Sequence, residues 1–208
     1  MTKSEYENAC KTHFGEEYFR KLSNARVAVA GLGGLGSHIS VMLARSCIGT
    51  LHLIDFDTVD ISNLNRQEYY LSHLGKPKTE CLKEKLLEIN PYLNIIADNI
   101  KVTEDNIEEL FGNEKIVCEA FDNADRKAML VNGLLTNFPD ITLVSGSGMA
   151  GYADSNMIKT RKIFRNFYMC GDEKSGKENG LPLMAARVSI CAGHQANKVI
   201  QLILEEGM

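Results

Sequence analysis

No stretch of this 208-residue chain approaches the ~20 consecutive apolar residues that a membrane helix needs. The opening, MTKSEYENACKTHFGEEYFRKL, mixes charges around no apolar segment, so neither a signal peptide nor a membrane anchor is expected there. The six cysteines (Cys10, Cys47, Cys81, Cys118, Cys170, Cys191) never form C-x-x-C. Scattered thiols argue against a disulfide framework and against a cysteine zinc site, and they fit a reduced, cytoplasmic protein. Positive charge is not in excess: 23 basic against 27 acidic residues leave a net charge of −4, so nucleic acid is not expected as the main partner. Internal repeats and low-complexity tracts are absent too. What remains, 44% hydrophobic and 24% charged, excludes a wholly disordered chain, and the length suits one domain over 1–208.

The order of elements is legible. Residues 4–22 read as a mostly polar helix ahead of the main domain, an N-terminal extension over 1–24. Arg26–Gly31 (RVAVAG) is a short apolar, β-prone run ending in glycines, as a buried parallel strand does. Gly34–Cys47 reads as a helix that Gly49 stops, and Thr50–Asp55 (TLHLID) as the next strand, the spacing of a compact β-α-β unit. Lys76–Asn90 reads as a helix ended by Pro91, followed by a strand over Asn94–Ile100. Thr103 resembles a helix cap with Asn106 in the capping-box position. Two further strands, Lys115–Phe121 and Ile141–Ser145, flank a helix over Ala124–Asn137. Asn156–Ile163 suits another strand, 164–182 reads as a charged, glycine-containing loop, and Leu183–Glu205 as a final helix with Val188, Cys191, Ala192, Val199, Ile200 and Ile203 on one face. Alternating β and α elements imply an α/β fold, a doubly wound, mainly parallel, Rossmann-like sheet with an N-terminal helix and antiparallel additions toward the C-terminus.

Four motifs carry chemistry. In GLGGLGS, Gly31, Gly33 and Gly36 have the G-x-G-x-x-G spacing between a strand and a helix, with Gly34 beside them. Small residues there let backbone N–H groups approach a phosphate. Asp55 ends the second strand, 22 residues after Gly33, where an acid accepts from ribose hydroxyls. These features suit NAD and ATP equally. The next motif, DFDTVDISNLNRQ, favours ATP. It adds a second acid, Asp57, and a cluster of Asn63, Asn65 and Arg66. Arginine binds phosphate bidentately and asparagine amides donate beside it, more than the two bridging phosphates of NAD require. In GKPKTE, Lys78 offers a point charge at a helix start, while Lys76 reads as solvent-facing. In EAFDNADRK, Asp122 lies past a strand end beside Asn123. It suits Mg²⁺ held between a carboxylate and phosphates, or else a cap on the following helix.

These motifs, in this order, resemble the adenylyltransferase family of ThiF and MoeB, bacterial relatives of the ubiquitin-activating enzymes. The resemblance covers residues 26–206 and includes the ending LMAARVSICAGHQANKVIQLIL. The short length, SGMAGY and AGHQAN resemble the compact ThiF-like subfamily of thiamine biosynthesis. It implies a homodimeric enzyme that binds ATP and Mg²⁺ and activates the Gly-Gly carboxylate of a ubiquitin-like sulfur carrier, forming an acyl-adenylate and releasing pyrophosphate. On this resemblance Gly33 and Asp55 hold the adenosine portion, Asn63, Arg66 and Lys78 meet the phosphates, and Asp122 binds Mg²⁺. A molybdopterin-type carrier, a peptide or a tRNA base are alternative acceptors. The rivals are an NAD-dependent oxidoreductase, which leaves Asn63, Arg66 and Lys78 idle, and a nucleotide-binding partner subunit with a dead site.

The sequence departs from longer members of that family in four places. The two zinc-binding C-x-x-C pairs are absent, so no zinc is expected, and Cys170 in FYMCGD cannot make a tetrahedral site alone. Glu178 stands where longer members carry a reactive cysteine, with Cys170 the nearest substitute and read mainly as a partly buried structural thiol. The basic residue after the aspartate motif is shifted, Arg126 coming one position early and Lys127 at the expected place. The N-terminal R-Y-x-R-Q motif is missing, and Arg20 is the candidate for its arginine. His194 reads as a core or interface histidine.

Overall fold

Arg26–Ala30 forms β1, and its side chains serve two cores at once. Val27 and Val29 point into one apolar cluster and Ala28 and Ala30 into the other. That alternation is what a strand covered on both faces requires. The same division recurs on β4 (Ile116–Glu119) and β5 (Thr142–Gly146): Cys118 and Val144 on one side, Val117 and Leu143 on the other. The computed structural model describes residues 1–176 and 180–205.

With β2 (Thr50–Asp55), β3 (Asn94–Asn99), β6 (Lys159–Phe164) and β7 (Phe167–Gly171), these strands make one sheet in the order β3-β2-β1-β4-β5-β7-β6. The pairs from β3 to β7 are parallel, and β6 alone runs antiparallel, at the edge. Helices α3 (Gly34–Arg45), α4 (Lys78–Ile89) and α7 (Ala185–Glu205) pack on one face, α5 (Ile107–Phe111) and α6 (Ala124–Asn137) on the other. The doubly wound α/β expectation holds. Strand order reverses between β1 and β4, and open α/β sheets bind ligands at such a point.

Four sequence expectations need correction. The single helix over 4–22 is two, α1 (Lys3–Phe14) and α2 (Glu16–Asn24), because Gly15 at φ +88° breaks the helical path. The loop expected over 164–182 contains β7; its FYMCG run is short and apolar, and the charged and glycine-rich flanks concealed it. The strand expected from Asn156 begins at Lys159, after a 3₁₀ turn over Ser155–Met157 capped by Asp154. The Thr103–Asn106 capping box is present, but it opens a 3₁₀ turn rather than an α-helix.

At the opposite end of the sheet from the glycine turn lies a buried charge cluster. Both ring nitrogens of His52 meet carboxylates, Nδ1 to Glu114 and Nε2 to Asp98, each at 2.7 Å. Arg26 Nε donates to Glu114 at 2.9 Å. Ionised carboxylates only accept, so this geometry favours a ring with both nitrogens donating, the charged imidazolium. Burial opposes that charge, but Glu114 and Asp98 outweigh it and raise the His52 pKa above 6.5. Burial likewise opposes ionisation of Glu114, yet His52 and Arg26 hold its pKa below 4.5. The His52 contribution to stability is complete below pH 6.5 and fades as pH rises through its raised value. The Glu114 contribution is complete above 4.5 and fades as pH falls through its lowered value. Between these limits the cluster stabilises most. A series of thermal unfolding curves is expected to show His52→Gln losing less stability than the wild type as pH rises above 6.5.

Candidate functional site

The chain leaves β1 through Gly31 at φ +90°, where a Cβ would fall 2.8 Å from the Phe121 ring. Gly36 lies against the same turn, and a Cβ there would sit 1.8 Å from the Gly31 carbonyl oxygen. These two glycines are demanded by packing between strand and helix. Gly33 is not. A Cβ there would meet nothing nearer than Gln67 Nε2 at 3.8 Å, so the protein itself leaves room for a side chain. Gly33 is also the N-cap of α3 and supplies no side-chain cap. The first-turn N–H groups and the positive end of the helix dipole therefore face the cavity unscreened, an arrangement that receives anions.

Asp55 closes this turn from β2. One carboxylate oxygen accepts from Leu32 N–H at 2.6 Å and the other from Asp57 N–H at 2.8 Å. Burial raises its pKa, against Lys78 and the two N–H groups, which lower it. The remaining lone pairs are free to accept further donors, such as ribose hydroxyls.

The segment after β2 folds back on itself. Val59 N–H donates to Lys76 O, Gly75 N–H to Val59 O and Lys78 N–H to Asp57 O, at 2.9–3.0 Å. This clamp delivers Lys78, the first residue of α4, to Asp57: Nζ and Oδ2 are 2.8 Å apart, and Lys78 is only 5% exposed. Asp60 caps the 3₁₀ turn over Ile61–Asn63, and Asn63 Oδ1 accepts from Asp60 N–H at 3.0 Å, which leaves Asn63 its amide donors. Arg66 follows, with Nη1 donating to Ser62 O at 2.8 Å and to Asn65 Oδ1 at 2.7 Å. No carboxylate among the described residues pairs with its guanidinium.

From β4, Asp122 reaches the same space. Asn123, not Asp122, is the N-cap of α6, accepting from Arg126 N–H at 2.9 Å. The capping alternative for Asp122 is thereby removed.

These elements enclose a cavity of about 650 Å³ over the C-terminal ends of β1, β2, β4 and β5. Gly31, Gly33, Gly34, Asp55, Asp57, Asn63, Arg66, Lys78 and Asp122 all line it. Asn65 and Asn123 do not. Asn65 is exposed and steadies the Arg66 guanidinium, while Asn123 is spent on the helix cap. Asp57 lines the cavity through its pairing with Lys78.

Two groups at the site, Glu119 and Gln67, escaped the sequence reading. Glu119, fully buried in β4, takes Lys127 Nζ and Ser145 Oγ on one oxygen and Phe121 N–H at 2.7 Å on the other. An acid inside the apolar run KIVCEAF was the available signal. Arg126 stacks over the Phe56 ring at 5.1 Å, so the shifted basic pair divides its work: Lys127 at the floor, Arg126 at the wall. Gln67, last residue of the asparagine-rich motif, lies buried on the cavity wall, and its Oε1 has no hydrogen-bond partner among the described residues. Behind the cavity, burial opposes the Asp172 charge, but Ser175, the Lys174 N–H and Arg187 hold its pKa down to about 2. The Arg187–Asp172 pair thus ties the loop carrying Ser175 and Gly176 to α7.

Cys170 lies in β7 and is fully, not partly, buried. Burial pushes its thiol up to about 11, against Thr160 and Lys198. A neutral, enclosed thiol is a poor nucleophile. Cys170→Ala is expected to leave the rate of adenylate formation nearly unchanged in a single-turnover assay. Glu178 lies outside the described residues, and Arg20 is exposed on α2. Among the described residues no helix is long and apolar enough to cross a membrane.

Comparison with known proteins extends this picture. A Bacillus subtilis protein named tRNA threonylcarbamoyladenosine dehydratase is 39% identical over 151 residues, 72% of this chain and 59% of its own length. A molybdopterin-synthase adenylyltransferase from Salmonella typhimurium is 32% identical over 192 residues, 89% of this chain and 76% of its own. The chain thus spans between a little over half and three quarters of these relatives. The crystal structure of E. coli tRNA N6-threonylcarbamoyladenosine dehydratase in complex with ATP shares the fold, with a TM-score of 0.86 at 22% identity over 96% of this chain and 93% of that one. Residues 6–208 match the ThiF family, and with the glycine turn, the asparagine–arginine loop and the doubly wound sheet in place, the chain belongs to that family.

Proposed function

We propose that this protein is a cytoplasmic, homodimeric, ATP-dependent adenylyltransferase, residues 1–208 acting as one catalytic domain. Its acceptor is the C-terminal Gly-Gly carboxylate of a ThiS-like sulfur carrier, in thiamine thiazole synthesis. The observation that carries the ATP reading is the bare backbone at Gly33, unexplained by packing, in a cavity that also holds Arg66 and Lys78. A nicotinamide dinucleotide leaves those two cations without work.

In this reading an acceptor carboxylate oxygen attacks the α-phosphorus of ATP. The new P–O bond forms as the α–β bridging bond breaks, and pyrophosphate leaves with the electron pair. Two anions must meet, so the site's task is positioning and charge compensation rather than covalent catalysis. The α3 N–H groups and Gly33 receive the phosphates, Asp55 holds the ribose, and the Asn63 amide, Arg66 and Lys78 offset charge on the departing pyrophosphate. Asp57 and Glu119 orient Lys78 and Lys127.

The donor set also accommodates Mg²⁺. No three His, Cys, Asp or Glu side chains converge among the described residues, so an all-protein cage is not built. Mg²⁺ characteristically takes one or two carboxylates with phosphate oxygens and water, and Asp122 at the cavity edge suits that role. When bound there it would supply additional charge compensation to the phosphates.

A second acceptor is favoured by the 39% identity to a protein named for tRNA threonylcarbamoyladenosine, higher than the 32% to the molybdopterin-synthase adenylyltransferase. Exchange of labelled pyrophosphate into ATP tests both. Exchange that depends on a ThiS-type carrier supports the proposal; exchange only with a MoaD-type carrier or with tRNA reassigns the acceptor. Thermal stabilisation by NADH, with none by ATP·Mg²⁺, would overturn the reading entirely.

A further inference from the structure

The N-terminal extension and the α3–β2 turn together form a thiol pair that the adenylation chemistry does not use. Cys10 lies on α1, and Cys47 in the turn between α3 and β2. Their sulfurs are 2.9 Å apart, although 37 residues separate them in sequence. Cys47 is held at φ +61°, a left-handed conformation uncommon for a residue with a side chain, and in it the thiol meets α1. The Tyr6 hydroxyl lies 3.7 Å from the same sulfur. Cys10 is half-buried and reachable from solvent, whereas the other five cysteines, Cys47 among them, are buried.

We propose that Cys10 and Cys47 form a modification site for low-molecular-weight disulfides such as oxidised glutathione, and that their oxidation staples α1 to the α3–β2 turn. The Cys10 thiol gives its proton to solvent, and the thiolate attacks one glutathione sulfur. The glutathione S–S bond breaks, and one glutathione thiolate leaves and is protonated. Cys47 then loses its proton and attacks the Cys10 sulfur of the mixed disulfide, expelling the second glutathione. Two protein thiols are oxidised by two electrons and one glutathione disulfide is reduced to two thiols. The sulfurs must close by less than about 1 Å to reach bonding distance. Burial, followed by the contact with Cys10, pushes the Cys47 thiol up to about 12, so the second step accelerates with pH.

The staple acts on a lightly held element. α1 contributes no buried residue. Besides the thiol pair and the Tyr6 hydroxyl beside Cys47, it is held by the Tyr6–Tyr92 ring contact at 5.7 Å and by Lys11, which pairs with Glu16 at 3.3 Å and lies over the Phe19 ring of α2, while just ahead of the helix Tyr92 Oη donates to Met1 O at 2.8 Å. A covalent link there restrains the unfolded chain and the fraying of α1 together.

The test uses the full chain in buffers of rising oxidised-to-reduced glutathione ratio. Expected are the loss of two hydrogens by intact mass, a peptide bridging Cys10 and Cys47, and full reversal by dithiothreitol. The thermal midpoint should rise by several degrees on oxidation, and α1 should become resistant to limited proteolysis. Cys10→Ser should show none of these changes while retaining the reduced protein's melting curve and activity. A folded wild type that keeps its full hydrogen count in excess oxidised glutathione overturns the proposal. So does a bridge that maps to any other pair, or one that joins two chains.

Discussion

Lys78→Ala is expected to lower kcat/KM for adenylate formation by about 10²–10³-fold, the range for loss of one preorganised charge-stabilising group. The reason lies in where the ammonium sits. It is 5% exposed, 2.8 Å from Asp57 and close enough to Asp55 to oppose the burial that raises that acid's pKa. Without Lys78 the cavity keeps two neighbouring acids and loses the cation between them and an incoming triphosphate. Stability should change little. The Asp57 side chain is 48% exposed, so water can take over its carboxylate, and the loss is confined to the packing of the buried Lys78 stem. Lys78→Arg should not restore activity, because a planar fork does not fit the place of a compact ammonium nearly enclosed by protein. Pyrophosphate exchange measured beside a thermal melt separates the two effects. Retention of more than a tenth of wild-type activity in Lys78→Ala would remove this residue from the phosphate site.

Asp122→Asn is expected to reduce adenylate formation by at least about 100-fold, equivalent to about 2.7 kcal/mol of transition-state stabilisation. The substitution keeps the side chain's shape and removes its charge. Asp122 is exposed at the cavity edge and is not the helix cap, and a thermal melt beside the assay separates lost chemistry from lost stability. Asn123→Ala is the matching control. It removes the α6 cap, which costs about 1 kcal/mol of stability, and leaves the chemistry in place. Full activity in Asp122→Asn would take the carboxylate out of the reaction, and raised magnesium that restores the variant would assign the loss to weakened ion binding.

The local signals that were readable were those governed by nearest neighbours in sequence. RVAVAG followed by a glycine turn and an amphipathic run specifies strand, turn and helix because backbone conformation and side-chain periodicity are short-range properties. Asn65 and Asn123 show the limit of such reading. Both stand inside the right motifs, yet one supports a guanidinium and the other a helix end, and residue type alone does not say toward what an amide will turn. β7 was concealed for a related reason: it pairs with its sequence neighbour β6 on one side, but its other partner is β5, more than twenty residues upstream, and that parallel pairing exists only once the sheet is assembled.

By itself the sequence determined the alternation of strands and helices, the glycine turn between β1 and α3 and the residue types gathered around it, since each depends on spacing within one segment. Only the tertiary structure decided that Glu119 grips Lys127, that Lys78 is buried against Asp57, that Gly33 is bare without packing need and that Cys10 meets Cys47. These are contacts between segments brought together by burial of apolar surface on both faces of the sheet, and their geometry exists only once that core has formed.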